Sequence, residues 1–192
     1  MAPMRMLVLA VLVGSVVLVT ACAPPSDPSD AKYEGFSVEA ASISLADLPQ
    51  GWSVVPPESV PPEVTMIKRN VVDSEERWFR KGSSTDGQQI IAVGIAVGPS
   101  NASVGSTDAI TEALEEIGVE DIRVSDHDIP KVGSQKVTYR YGGFVDEEVR
   151  FVEERVLAQI GILYPLGAIP DVELDDLARI VYERTTGQLQ EP

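Results

Sequence analysis

Apolar positions fall into three rhythms along this chain. A continuous run, Leu7–Val19, is broken only by Gly14 and Ser15. Strand-like alternation follows, strongest over residues 88–97 and 155–164, and helical spacing appears over 106–118 and again over 170–187. In the first strong strand, Ile91, Val93, Ile95 and Val97 point one way, and Ile90, Ala92, Gly94 and Ala96 the other. Both of its faces are apolar, so the strand is expected at the centre of a sheet covered on both sides. Its small-residue face suits the close approach of a helix or the floor of a ligand cavity. Residues 155–164 repeat this character, with Val156, Ala158, Ile160, Ile162 and Tyr164 on one face and Leu157 and Leu163 on the other.

Five further strands are predicted at residues 63–72, 76–81, 122–129, 136–141 and 148–152. In the fourth of these Val137, Tyr139 and Tyr141 point inward; in the fifth Val149 and Phe151 share a face. The Glu153-Glu154 junction reads as a hairpin or as a bulge in a continuous strand, since neither residue favours positive φ. The segment from Ile43 to Trp52 reads as a short strand or turn. Pro56-Pro57 and Pro61-Pro62 exclude regular structure between them. The first helix is opened by Ser106 or Thr107, has Asp108 at its positive end and buries Ile110, Ala113, Leu114 and Ile117 before Gly118 stops it. Pro170 and Asp171 open the last helix, Asp171, Glu173, Asp175 and Asp176 crowd its N-terminus, and Gly187 lies just beyond it. This order predicts an α+β fold: a mostly antiparallel sheet of about six or seven strands with two main helices packed on it.

The leading apolar run is shorter than the ~20 residues that span a bilayer and suits a signal peptide, with Arg5 in its n-region. It ends in Val19-Thr20-Ala21-Cys22. That stretch resembles the lipobox of bacterial lipoprotein precursors. The resemblance implies a signal peptide at residues 1–21, cleavage between Ala21 and Cys22, and a diacylglyceryl group on the Cys22 thiol, with acylation of the new amine. Two or three acyl chains give a durable anchor where one gives only reversible binding. Residues 22–35 then read as the lipidated cysteine and a solvated tether, rich in proline, serine and aspartate. Residues 36–187 form a single globular domain in this reading, with a tail at 188–192. The order of elements and the terminal helix also look like the PsbP-like α/β/α sandwich of small bacterial lipoproteins, a likeness that carries over no functional residues.

Charge and composition narrow the chemistry. The net charge of -15 over 192 residues disfavours nucleic acid and direct docking on anionic headgroups, while 44% hydrophobic residues are enough for a packed core. Cys22 is the only cysteine, so no intramolecular disulfide forms. His127 is the only histidine. Alternation puts Asp126 and Asp128 on the face opposite His127, so the three do not clasp one metal from a regular strand. The acids at 171–176 lack the glycine and distal glutamate of a calcium loop. No nucleophile elbow, dinucleotide fingerprint or P-loop is present. We therefore expect no catalytic, metal or cofactor-binding residues. The expected function is a non-enzymatic interaction or accessory module, anchored through Cys22 on the extracytoplasmic face of the cell membrane, or of the outer membrane where the cell has one. Its partner would be a protein of the envelope. The alternative is a carrier or receptor for a small apolar ligand floored by Ala92, Gly94 and Ala96.

Overall fold

A computed structural model describes residues 35–56, 73–82, 87–98 and 103–190. The lipobox, the tether up to Glu34 and the strand expected over 63–72 lie outside the described residues. Among the described residues, seven strands form one open antiparallel sheet: β1 (Trp52–Val54), β2 (Asp73–Lys81), β3 (Gln89–Val97), β4 (Glu120–His127), β5 (Ser134–Tyr141), β6 (Phe144–Glu153) and β7 (Val156–Pro165). Their spatial order is β1-β2-β3-β7-β6-β5-β4. The two doubly apolar strands of the sequence, β3 and β7, are therefore central and pair with each other, from Ile90 opposite Leu163 to Val97 opposite Val156. The α+β class and the antiparallel sheet are as the sequence pattern indicates.

Helices lie on both faces. The short α1 (Val38–Ala41), a 3₁₀ turn at Leu45–Asp47 and the terminal α3 (Leu174–Gln190) cover one face. There Leu177, Ala178 and Val181 pack with Val149, Phe151, Ile160, Val93 and Ile95. The Phe151 and Tyr182 rings meet edge to face with centroids 5.8 Å apart. On the other face α2 (Thr107–Glu116) packs over β4 and β5, setting Ile110 and Leu114 against Val137 and Tyr139. The Ser106 hydroxyl caps α2 by accepting the Ala109 amide at 3.2 Å, and Gly118 ends it at φ +75°.

Two readings left open by the sequence are resolved, and the bounds of the last helix differ from the sequence expectation. Over 43–52, expected as a short strand or turn, the 3₁₀ turn, with Asp47 accepting the Ser44 amide, delivers the chain to the three-residue β1. The junction at 153–155 is a hairpin, because Glu154 takes the left-handed conformation at φ +53°. The acids at 171–173 precede α3 rather than sit inside it, and α3 runs through Gly187 to Gln190. Residues 188–190 thus belong to the fold rather than to a tail. Leu189 is buried, and Gln188 accepts the Ser37 amide at 2.8 Å while donating to the Ser37 carbonyl. The terminal helix packs on the face opposite Ala92 and Ala96, with Val93 and Ile95.

Candidate functional site

Alternation along β6 sends Asp146, Glu148 and Arg150 to the face opposite Val149 and Phe151. That face is closed, not solvated: these three side chains are at most 1% exposed. Cross-strand register supplies their company. Tyr139 on β5 stands opposite Asp146, and Gln159 and Gly161 on β7 stand opposite Arg150 and Glu148. Gln159 is in turn opposite Gly94, so the small-residue face of β3 borders this polar cluster.

Glu148 is the hub. Its Oε2 accepts from Arg150 Nε at 2.9 Å, from Arg150 Nη2 at 2.5 Å and from Gln159 Nε2 at 2.8 Å. Tyr139 donates its hydroxyl to Asp146 Oδ2 at 2.8 Å. One guanidinium thus faces two carboxylates in a dry site. Burial, and then the Glu148 charge, push the Asp146 carboxyl well above the usual carboxylate range. With Asp146 protonated, Glu148 and Arg150 balance. Burial, followed by the charges of Asp146 and Glu148, likewise pushes the Tyr139 hydroxyl well up. Gly161 makes room for the pair: a Cβ there would stand 3.3 Å from Glu148 Cγ and 3.7 Å from Asp146 Oδ1. Two carboxyl groups side by side resemble an acid–base pair in composition. In geometry they differ from an open site: Asp146, Glu148 and Arg150 are at most 1% exposed and bond mainly within the cluster, while Asp146 Oδ1 is left without a hydrogen-bond partner.

A second set of titratable groups lies on the α3 face. Tyr164 donates to Glu147, Glu147 pairs with Lys136 at 3.5 Å, and Lys136 lies 3.7 Å from Asp175. His127 Nε2 meets the same Asp175 oxygen at 3.1 Å. Partial burial, then the hydrogen bond to Glu147, raises the Tyr164 hydroxyl above its ordinary value. Beside this chain Lys81 pairs with Asp171. Asp171 and Asp175 are thus bonded to side chains of β2, β4 and β5, which fastens the helix start to the sheet. Asp126 and Asp128 are exposed while His127 is half-buried and turned to Asp175. Among the described residues, no group of three His, Cys, Asp or Glu side chains is arranged to hold a metal ion.

The third feature is a surface groove of about 510 Å³ lined by Ser37, Glu39, Ser42, Ser44, Arg77 and Arg184. Its cations are committed. Arg184 forks onto Asp47 at 2.7 and 3.0 Å and donates to the Ser42 carbonyl; Arg77 binds Glu39, Glu75 and the Ile43 carbonyl. Burial tends to raise Asp47, but the hydrogen bonds from Arg184 and Ser44 outweigh it and hold its carboxyl below the usual value.

Sequence reasoning missed the buried cluster. Its visible signals were Gln159 and Gly161 interrupting an otherwise aliphatic strand, with no role assigned to either. No protein-family model matches this chain, and no curated protein shows significant similarity to it. Cys22 and Ala21 lie outside the described residues. Among those described, no helix is long and apolar enough to cross a membrane.

Proposed function

We propose that this protein is a lipoprotein held by Cys22 on the extracytoplasmic face of a membrane, with a non-enzymatic domain that engages a protein partner of the envelope. The observation that supports a non-enzymatic domain is the enclosure of Tyr139, Asp146, Glu148 and Arg150. Among the described residues, this cluster of reactive groups is turned inward, with its members hydrogen-bonded to one another. The anchor rests on the sequence Val19-Thr20-Ala21-Cys22. The apolar-carrier reading falls behind, because the small-residue face meant to floor its cavity borders an ion pair and Gln159. An apolar ligand would leave such groups without compensation.

The test is metabolic labelling with a radioactive fatty acid, joined to mass spectrometry of protein purified from its native membranes. The wild type should carry label and yield an acylated N-terminal cysteine with a co-purified protein. Cys22→Ala should lose the label and remain uncleaved or misprocessed. Label that persists on Cys22→Ala would refute the anchor, and recovery of a stoichiometric small molecule in place of a protein would favour the carrier.

A further inference from the structure

One end of the sheet carries an apolar tip. At the end of β7 the chain reads Tyr164-Pro-Leu-Gly-Ala-Ile-Pro170, without a charge, and the neighbouring β5–β6 turn reads Gly142-Gly-Phe-Val145, also without one. Leu166 is 53% exposed and Ile169 88%. The loop is nevertheless built: the Leu166 amide donates to the Gly143 carbonyl at 2.8 Å, the Ala168 amide to the Pro165 carbonyl at 2.9 Å, and Gly167 takes φ +88°. A preorganised loop that holds Leu and Ile in water has no purpose in the core, since neither side chain packs there.

We infer that this tip dips into the surface of the membrane that holds the anchor, giving the domain a second point of membrane contact and a fixed orientation. The inference rests on the anchor reading above. Three observations select the membrane as occupant. The first is size: two large apolar side chains are far fewer than the roughly 800 Å² per partner of a stable protein interface needs. A domain already tethered to a bilayer makes its second contact at high effective concentration, so a small apolar loop is enough. The second is charge. On a molecule of net charge -15, the stretch from Tyr164 to Pro170 carries no charge of its own and so meets headgroups with less repulsion than the acidic surface elsewhere. The third is reach. The tether joins the domain beside Ser37, which is bonded to Gln188 at the far end of α3, while the tip precedes the start of that helix. The 17 residues of α3 span about 25 Å. The thirteen residues 23–35 cover at most roughly 43 Å, so the tip reaches the bilayer from which the tether rises.

The experiment supplies the anchor chemically, so its outcome does not depend on lipidation in the cell. The processed chain beginning at Cys22 is coupled through that single thiol to maleimide-headgroup lipid in phosphatidylcholine vesicles, some carrying brominated acyl chains. Trp52 and Trp78 are buried and give a constant background. A tryptophan placed by Ile169→Trp should shift its emission to the blue on coupling and be quenched by the brominated chains. One placed by Val132→Trp, exposed in the β4–β5 connection at the other end of the sheet, should do neither. Adding Leu166→Asp to the first variant should abolish both signals while leaving the thermal midpoint unchanged. Emission from Ile169→Trp that stays aqueous on coupled vesicles overturns the inference and leaves the tip to a protein partner. Equal quenching of the two probes also overturns it, as mere crowding at the surface.

Discussion

The two faces of the sheet are made by the same strands and are closed in opposite ways. The α3 face is filled by aliphatic and aromatic side chains from five strands, which the terminal helix completes. The other face has a much smaller apolar patch under α2, and at β6 it holds Glu148, Arg150 and Asp146 in place of hydrocarbon. On the first face any side chain of similar volume serves, and the stabilising effect is spread over many contacts. On the second, stability hinges on a few partners, since a buried charge is tolerable only while its counter-charge and donors are in place. The lesson is one of tolerance. The hydrocarbon face should absorb change gradually, the ionic face abruptly.

The sharpest break of this comparison is Arg150→Met, which keeps volume but leaves Glu148 buried without its cation. It should cost about 3–5 kcal/mol in denaturant unfolding, as for other broken buried pairs. On the hydrocarbon face Leu177→Ala should cost about 2–5 kcal/mol, and methionine at the same position under about 1.5 kcal/mol. If Arg150→Met were as mild as Leu177→Met, the two faces would not differ as described.

Asp146→Asn sharpens the comparison through pH. Folding raises the Asp146 pKa above the unfolded carboxylate value of 3.8, so the folded state binds its proton more tightly. That stabilisation is fully present below the unfolded value and is lost as pH rises through the folded one. Asparagine keeps an acceptor for the Tyr139 hydroxyl and does not titrate. At the acid end the variant should differ from wild type by no more than about 1 kcal/mol, one neutral hydrogen bond. With rising pH it should show a flatter stability profile and overtake the wild type, read from unfolding midpoints at a series of pH values. The smallest effect belongs to the half-exposed latch at the start of α3. His127→Gln should shift stability by less than about 1 kcal/mol, and raising the salt should shrink any charged part of that difference. A larger loss would mean that the hydrocarbon face too depends on an ion pair.

Much of the sheet was legible because alternation reports burial where one face meets hydrocarbon. Ile91 to Val97 and Val156 to Tyr164 announced two central strands, and they pair. Ser106 and Gly118 marked the ends of α2 within a residue or so because caps answer to local backbone needs. The buried cluster was not legible, since alternation assigns Asp146, Glu148 and Arg150 to water. Only the pairing of β6 with β5 and β7 brings Tyr139 and Gln159 beside them, and all three are buried in the folded chain. The start of α3 was misplaced for a related reason. Acids before a helix read as its own dipole partners, whereas Asp171 and Asp175 answer to Lys81, His127 and Lys136, residues distant in sequence. The apolar tip at Leu166–Ile169 lay in plain view between the two best-signalled elements and drew no reading, because a short apolar loop has no periodicity.

The pairing of β3 with β7 also sets an order of events. The meander β4–β5–β6–β7 joins neighbours in sequence, each pair closed by a short connection. The pairing of β3 with β7 closes a loop on the order of 60 residues, a contact that local structure does little to hasten. A chain delivered from its N-terminus presents β3, apolar on both faces and open along one edge, long before its partner exists. During that interval a strand apolar on both faces is unprotected along that edge. The same two strands that make the finished centre are therefore the hazard of its assembly, and a holding chaperone that binds aliphatic segments would act there first.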